Sequence, residues 1–106
     1  MDRKYQTFRE FYPYYLAEHT NPVCRTLHFM GSWVALAILA TAFLTGNPWW
    51  LAGVPLAGYT FAWIGHFFFE HNRPATFTYP AYSLMGDWVM FYQLLTGKIP
   101  FSAGAR

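Results

Sequence analysis

Two long apolar runs dominate the pattern of hydrophobic and polar positions. From Leu27 to Leu44 the chain reads LHFMGSWVALAILATAFL, with His28 as its only ionisable group. From Trp49 to Phe69 it reads WWLAGVPLAGYTFAWIGHFFF, where His66 is again the only one. Neither run alternates with the period of two expected of a half-buried strand. Each is close to the roughly 20 helical residues needed to cross a bilayer core. In the segment between them, Gly46 and Asn47 are residues that end a helix, and Pro48 suits the start of the next. The pattern therefore predicts a helical hairpin. A shorter run, YPAYSLMGDWVMFYQLL from Tyr79 to Leu95, includes Asp87 and predicts a further helix from about Pro80 to Leu95. The opening stretch, YQTFREFYPYYLAEH, has one aromatic and one charged side, the pattern of an interfacial helix rather than a span. Pro13 either bends that helix or lies near its start.

Composition turns two oily helices into a membrane expectation. Hydrophobic residues make up 55% of the 106 residues and charged ones only 11%, against about 25% charged in soluble domains. So few charged groups cover the surface of a small soluble protein poorly. The expected fold class is all-α: one domain, residues 1–106, forming a small integral-membrane helical bundle. It would have an N-terminal interfacial helix, a transmembrane hairpin and a further C-terminal membrane helix. Gly58-x-x-x-Ala62 and Ala42-x-x-x-Gly46 have the small-residue spacing of closely packed membrane helices. A net charge of +2 with no basic stripe argues against nucleic acid as a partner. The lone Cys24 excludes an internal disulfide, and MDRKYQTFREFY lacks the continuous apolar core of a secretory signal. Arg3, Lys4, Arg9, Arg25 and Arg73 fall at the open end of the hairpin and none at its closed turn. The positive-inside rule then puts the open end at the cytoplasmic face. Lys98 and Arg106 weaken this asymmetry if the third run crosses.

The four histidines sit in two short stretches, EHTNPVCRTLH (Glu18–His28) and GHFFFEHNRP (Gly65–Pro74). His28 lies nineteen residues before Asn47 and His66 nineteen after it. At about 1.5 Å of rise per residue, both helices bring these histidines to one height at the open end. His19 and His71 fall just beyond. His71 points away from His66 on a continuous helix and joins a common site only if the helix ends there, which Asn72-Arg73-Pro74 allows. An ionisable side chain in an oily helix is costly and marks a functional position, and neutral imidazole binds Fe, Zn, Cu and Ni. His19, His28, His66 and His71 are thus the candidate metal ligands, with Glu18, Glu70 and Asp87 as carboxylates that bind or orient. No pair has the His-x-x-x-His spacing of a zinc motif.

The stretches FYPYYLAEHTNPVCRTLHFMGS, GYTFAWIGHFFFEHNRPATFTYPAYSLMGDW and LLTGKIPF resemble a family of small membrane 2-hydroxy fatty acid dioxygenases. That family includes the fungal protein named for metabolism of phytosphingosine to odd-numbered fatty acids. The resemblance runs from about Phe8 to Phe101. It implies an Fe(II)-dependent enzyme of fatty acid alpha-oxidation that takes a long-chain 2-hydroxy fatty acid and O2 and leaves an acid one carbon shorter. It places the family's histidines on His19, His28 and His66 and its glutamate on Glu70. The position of His71 often holds another residue, such as lysine, in the family pattern.

On this expectation the substrate chelates iron through its carboxylate and hydroxyl oxygens. Its tail runs between the helices against Phe67, Phe68 and Phe69 or their neighbours. Arg25 or Arg73 pairs with the carboxylate, and Glu70 supports a histidine or binds the metal; Glu70 and Arg73 are the candidate catalytic residues. Two other readings remain open from the residues alone: an electron-transfer protein with a haem held by two histidines, and a non-catalytic membrane protein with interfacial histidines.

Overall fold

The computed structural model describes residues 4–101, so Arg3 and Arg106 of the charge argument lie outside the described residues. The fold is all-helical, with no strand among the described residues. Among the described residues the four α-helices are α1 (Phe8–Ala17), α2 (Pro22–Thr45), α3 (Gly53–Ile64) and α4 (Pro80–Leu95). The expected helix from about Pro80 to Leu95 and α4 thus have the same bounds. The expected helix from Trp49 to Phe69 has three parts: a 3-10 turn at Pro48–Ala52, then α3, then a π-helical segment at Gly65–Glu70.

Local chemistry fixes the ends. Asn21 caps α2 by accepting from the Val23 and Cys24 amides, with Pro22 at the first helical position. α2 closes at Gly46, whose φ of 68° is a left-handed conformation that favours glycine. Asn47 then caps the turn begun by Pro48. Thr7 caps α1 by accepting from the Glu10 amide, and the Glu10 carboxylate accepts from the Gln6 amide, a reciprocal pair that anchors the first turn. Pro13 lies inside α1.

α2 and α3 run antiparallel, as three glycine contacts show. A Cβ at Gly65 would lie 2.9 Å from the Cys24 sulfur, one at Gly31 would lie 2.7 Å from the Phe61 Cβ, and one at Gly53 would lie 3.3 Å from Ile38. The closest approaches are therefore at Gly31 and Gly65. Gly58, expected from its spacing to mark a helix contact, has nothing within 4 Å of an added Cβ.

α1 packs across α4. Phe11 and Tyr15 are fully buried against Tyr79, Met90 and Leu94, and a Cβ at Gly86 would meet the Tyr15 ring at 2.9 Å. The segment before α4 is tied to the chain ahead of α1 by the Lys4 amide, which donates to the Tyr79 hydroxyl at 2.9 Å. The segment after α4 is tied to α2 by Arg25 Nη1, which donates to the Pro100 carbonyl at 2.6 Å. Lys98, two residues from Pro100, therefore lies at the same end of α2 as Arg25. α2 is long and apolar enough to cross a membrane, the one such helix among the described residues.

Candidate metal centre

Three elements deliver one histidine each. His19 follows the end of α1, His28 lies in the second turn of α2, and His66 lies in the π-helical segment. The antiparallel register of α2 and α3 brings His28 and His66 to one height, as their equal distance from Asn47 predicts. Their ring centroids are 5.1 Å apart. His19 closes the triangle at 4.5 Å from His28 and 4.3 Å from His66, and all three rings stand edge to face. Relative exposures of 1%, 6% and 2% for His19, His28 and His66 leave little access to solvent.

The hydrogen bonds assign the ring nitrogens. His19 Nδ1 lies 2.6 Å from the Tyr15 carbonyl and His28 Nδ1 lies 2.9 Å from the Cys24 carbonyl, each four residues back. His66 Nδ1 lies 2.7 Å from Asn72 Oδ1. All three partners are acceptors: the Asn72 amide nitrogen donates to the Glu18 carbonyl and carboxylate, which leaves its oxygen for His66. Each Nδ1 therefore carries the proton, and each Nε2 has a free lone pair. The three histidines each offer one nitrogen, and these lie within 4.8 Å of one another. His19 Nε2 is buried with no hydrogen-bond partner, a state that costs about 1–3 kcal/mol unless something binds there.

Charge agrees with that role. Burial, then the neighbouring His28 and His66 rings, hold the His19 pKa well below its ordinary value, so the ring is neutral, as a metal ligand must be. Three neutral imidazoles with outer partners on Nδ1 are a donor set suited to Fe, Zn, Cu or Ni. Rings this close leave no space for a porphyrin between any pair, which counts against an axial haem.

The other expected residues take different places. His71 is exposed at the end of the π-helical segment, with a left-handed φ of 59°, and is not among the three grouped histidines. Histidine is one of the few residues besides glycine often found in that conformation, so His71 terminates the segment. The Glu70 carboxylate accepts from the Asn21 amide and, at 3.3 Å, from the Thr20 hydroxyl. It thereby secures the loop that carries His19 into α2. Arg25 is buried and donates from Nε to the His19 carbonyl. Arg73 is exposed, its guanidinium 5.1 Å from the Phe77 ring centroid. Phe67, Phe68 and Phe69 are all exposed.

Sequence reasoning missed two supporting residues. Asn72, six residues after His66, reaches its ring because the π-helical segment and the left-handed His71 fold the chain back. Tyr15 stacks on His19 with centroids 4.0 Å apart and donates its hydroxyl to the Asp87 carboxylate. The aromatic run before Glu18 was visible, but no spacing rule marked one tyrosine within it.

Asp87 and His28 both line a cavity between α2, α3 and α4. Neither the curated proteins nor the solved structures contain a significant match to the chain. A family model described as "2-hydroxy-palmitic acid dioxygenase Mpo1-like" matches residues 5–99. Nearly the whole fold lies within that match, including all three grouped histidines and their Nδ1 partners, and the chain belongs to this Mpo1-like family.

Proposed function

We propose that this protein is a membrane-embedded Fe(II)-dependent dioxygenase that shortens long-chain 2-hydroxy fatty acids by one carbon. The observation that carries the reading is the buried triad His19, His28 and His66, with each Nδ1 engaged and His19 Nε2 left without a partner. Membership of a family described by 2-hydroxy-palmitic acid dioxygenase gives the substrate class. The overall reaction balances without an added reductant: a 2-hydroxy acid and O2 give the shorter acid, CO2 and water.

The triad would hold iron through its Nε2 atoms. Bound iron would supply the O2 redox chemistry that protein side chains lack. The remaining work falls to the chain. Tyr15, Cys24 and Asn72 fix the histidine rings through their Nδ1 protons. Glu70 and Arg25 act as positioning residues: Glu70 ties Thr20 and Asn21, and Arg25 ties the His19 carbonyl. Asp87, held by the Tyr15 hydroxyl beside His28, is the polar group that would orient the substrate hydroxyl. Arg73, exposed beside Phe77, would meet the substrate carboxylate as it arrives. Burial of the triad keeps bulk water from the reacting end.

The apolar α2 and the chain from Pro48 to Glu70 would form a transmembrane hairpin. Phe43, Leu44, Trp49, Leu56 and Phe68 are exposed, and only 22% of the most apolar window of α2 is buried. That pattern fits lipid contact better than a water-covered core. The histidine end would face the cytoplasm, since Lys4, Arg9, Arg25 and Arg73 lie toward it and the closed turn has no charge.

The test is product length. Purified protein with Fe(II) and O2 is expected to convert a long-chain 2-hydroxy acid to the acid one carbon shorter, detected by mass spectrometry under air but not under nitrogen. Zinc in place of iron is expected to give no turnover, because zinc has no redox chemistry. Equal product under nitrogen, or none from any chain length at full iron loading, would overturn the proposal.

A further inference from the structure

We propose that the cavity beside His28 receives the acyl tail of the substrate and that Gly58 sets the tail length it accepts. This rests on reading the histidine site as a 2-hydroxy fatty acid site.

The three phenylalanines after His66 do not form the tail's path, because Phe67, Phe68 and Phe69 are 47%, 69% and 39% exposed. A cavity of about 370 Å³ lies instead between α2, α3 and α4. His28 lines it, so the cavity borders the metal-binding triad. From His28, its α2 wall continues through Ser32 and Ala35, four and seven residues on and so on one helix face. Its α3 wall is Val54, Gly58 and Ala62, at spacings of four. The cavity thus extends along the helix axes toward the closed turn, by about 10 Å from His28 to Ala35 at 1.5 Å per residue. Leu84 and Trp88 of α4 line its remaining side, with Asp87 on the same helix.

Size and polarity fit a hydrocarbon tail with one polar end. The lining is mainly apolar, and its ionisable groups are His28, Asp87 and the Tyr59 phenol. If a methylene takes about the 30 Å³ of a water molecule, the volume holds roughly a dozen of them. That suits a long-chain acid whose carboxyl and 2-hydroxyl stay at the histidines.

Gly58 differs from the packing glycines. At Gly31 and Gly65 an added Cβ would collide with the facing helix, whereas at Gly58 it would meet nothing within 4 Å. Gly58 lines the cavity eight residues before His66, about two helical turns from the triad. A side chain there would enter the space reserved for the tail without disturbing the metal ligands.

The test measures binding without turnover. Metal-loaded protein in detergent, kept free of O2, is titrated with saturated 2-hydroxy acids of increasing length against a fluorescent fatty acid. Affinity is expected to rise about fourfold for each added methylene until the cavity is full. In Gly58→Leu the plateau is expected to come about four carbons earlier, because four side-chain carbons take that space. Gly58→Ala should shift it by about one carbon, and Ala35→Leu, which adds three carbons to alanine's one, should bring it forward by about three. Metal content, measured by elemental analysis, is expected to remain unchanged in all three. A photoreactive group at the tail end of the acid is expected to label residues near Val54 and Ala35. An unchanged plateau in metal-replete Gly58→Leu and Ala35→Leu, or labelling confined to Phe67–Phe69, would overturn the assignment. So would displacement of the probe by phospholipid as effectively as by the 2-hydroxy acid, since the cavity would then belong to bilayer lipid. If the cavity binds as expected but no acid is shortened under air, the dioxygenase reading fails and the tail site stands.

Discussion

His66 differs from its two partners in how its ring is held. His19 and His28 donate to main-chain carbonyls, which no substitution removes, whereas His66 donates to the Asn72 side chain. Asn72→Ala is therefore expected to weaken metal binding about 10- to 100-fold, the usual cost of losing an outer partner of a ligating histidine. Competition with a chelator of known affinity measures this, and wild-type affinity in Asn72→Ala would contradict the role given to that side chain. His28→Ala and His66→Ala are expected to lose the metal while the protein still enters membranes, because each removes one of three nitrogens. Full metal occupancy in both variants would sink the triad. His71→Ala is expected to keep its metal, since His71 is exposed and outside the group.

At the scale of the element, the site depends on how closely α2 and α3 approach. Gly31 permits that approach, because the atom an added Cβ would strike at 2.7 Å is the Phe61 Cβ. That atom sits next to the backbone and does not swing aside as the end of a flexible side chain does. Gly31→Ala is thus expected to destabilise the protein by about 1–3 kcal/mol, as overpacking does. Gly58→Ala meets open space and improves helix propensity by up to about 1 kcal/mol, so it is expected not to lower stability. Thermal unfolding in detergent distinguishes the two, and equal melting temperatures would show that the Gly31 contact is softer than its geometry. The π-helical segment is the second device at this scale. Such segments often mark functional sites, and here one carries His66 and leads to the turn that supplies Asn72.

For the molecule as a whole, exposed apolar side chains and asymmetric charge make a prediction about the bilayer. The protein is expected to stay in membranes washed at alkaline pH, and Asn47→Cys at the closed turn is expected to react with an impermeant thiol reagent from the non-cytoplasmic side. The native Cys24 is buried and adds little background. Labelling of Asn47→Cys only from the cytoplasmic side would reverse the orientation, and release by alkaline washing would remove the transmembrane hairpin.

Length, apolar runs and turn residues were enough to determine the helical class, the turn at Gly46–Pro48 and the extent of α4. These features are local: capping and periodicity act within a few residues, and a helix of known rise converts sequence distance into height. That conversion by itself brings His28 and His66 to one height. Rotation about the helix axis and lateral packing are not local, and there the tertiary structure decided. It brought in His19, where α1 docks on α4 and Tyr15 stacks on the ring, and it turned His71 outward, where the π-helical segment ends in a left-handed residue. It made Gly31 and Gly65 the packing glycines and left Gly58 facing a cavity. The Phe67–Phe69 run, the most conspicuous apolar stretch beside a histidine, is exposed at all three positions, and an unbroken apolar run carries no periodicity to say which face of a helix is buried.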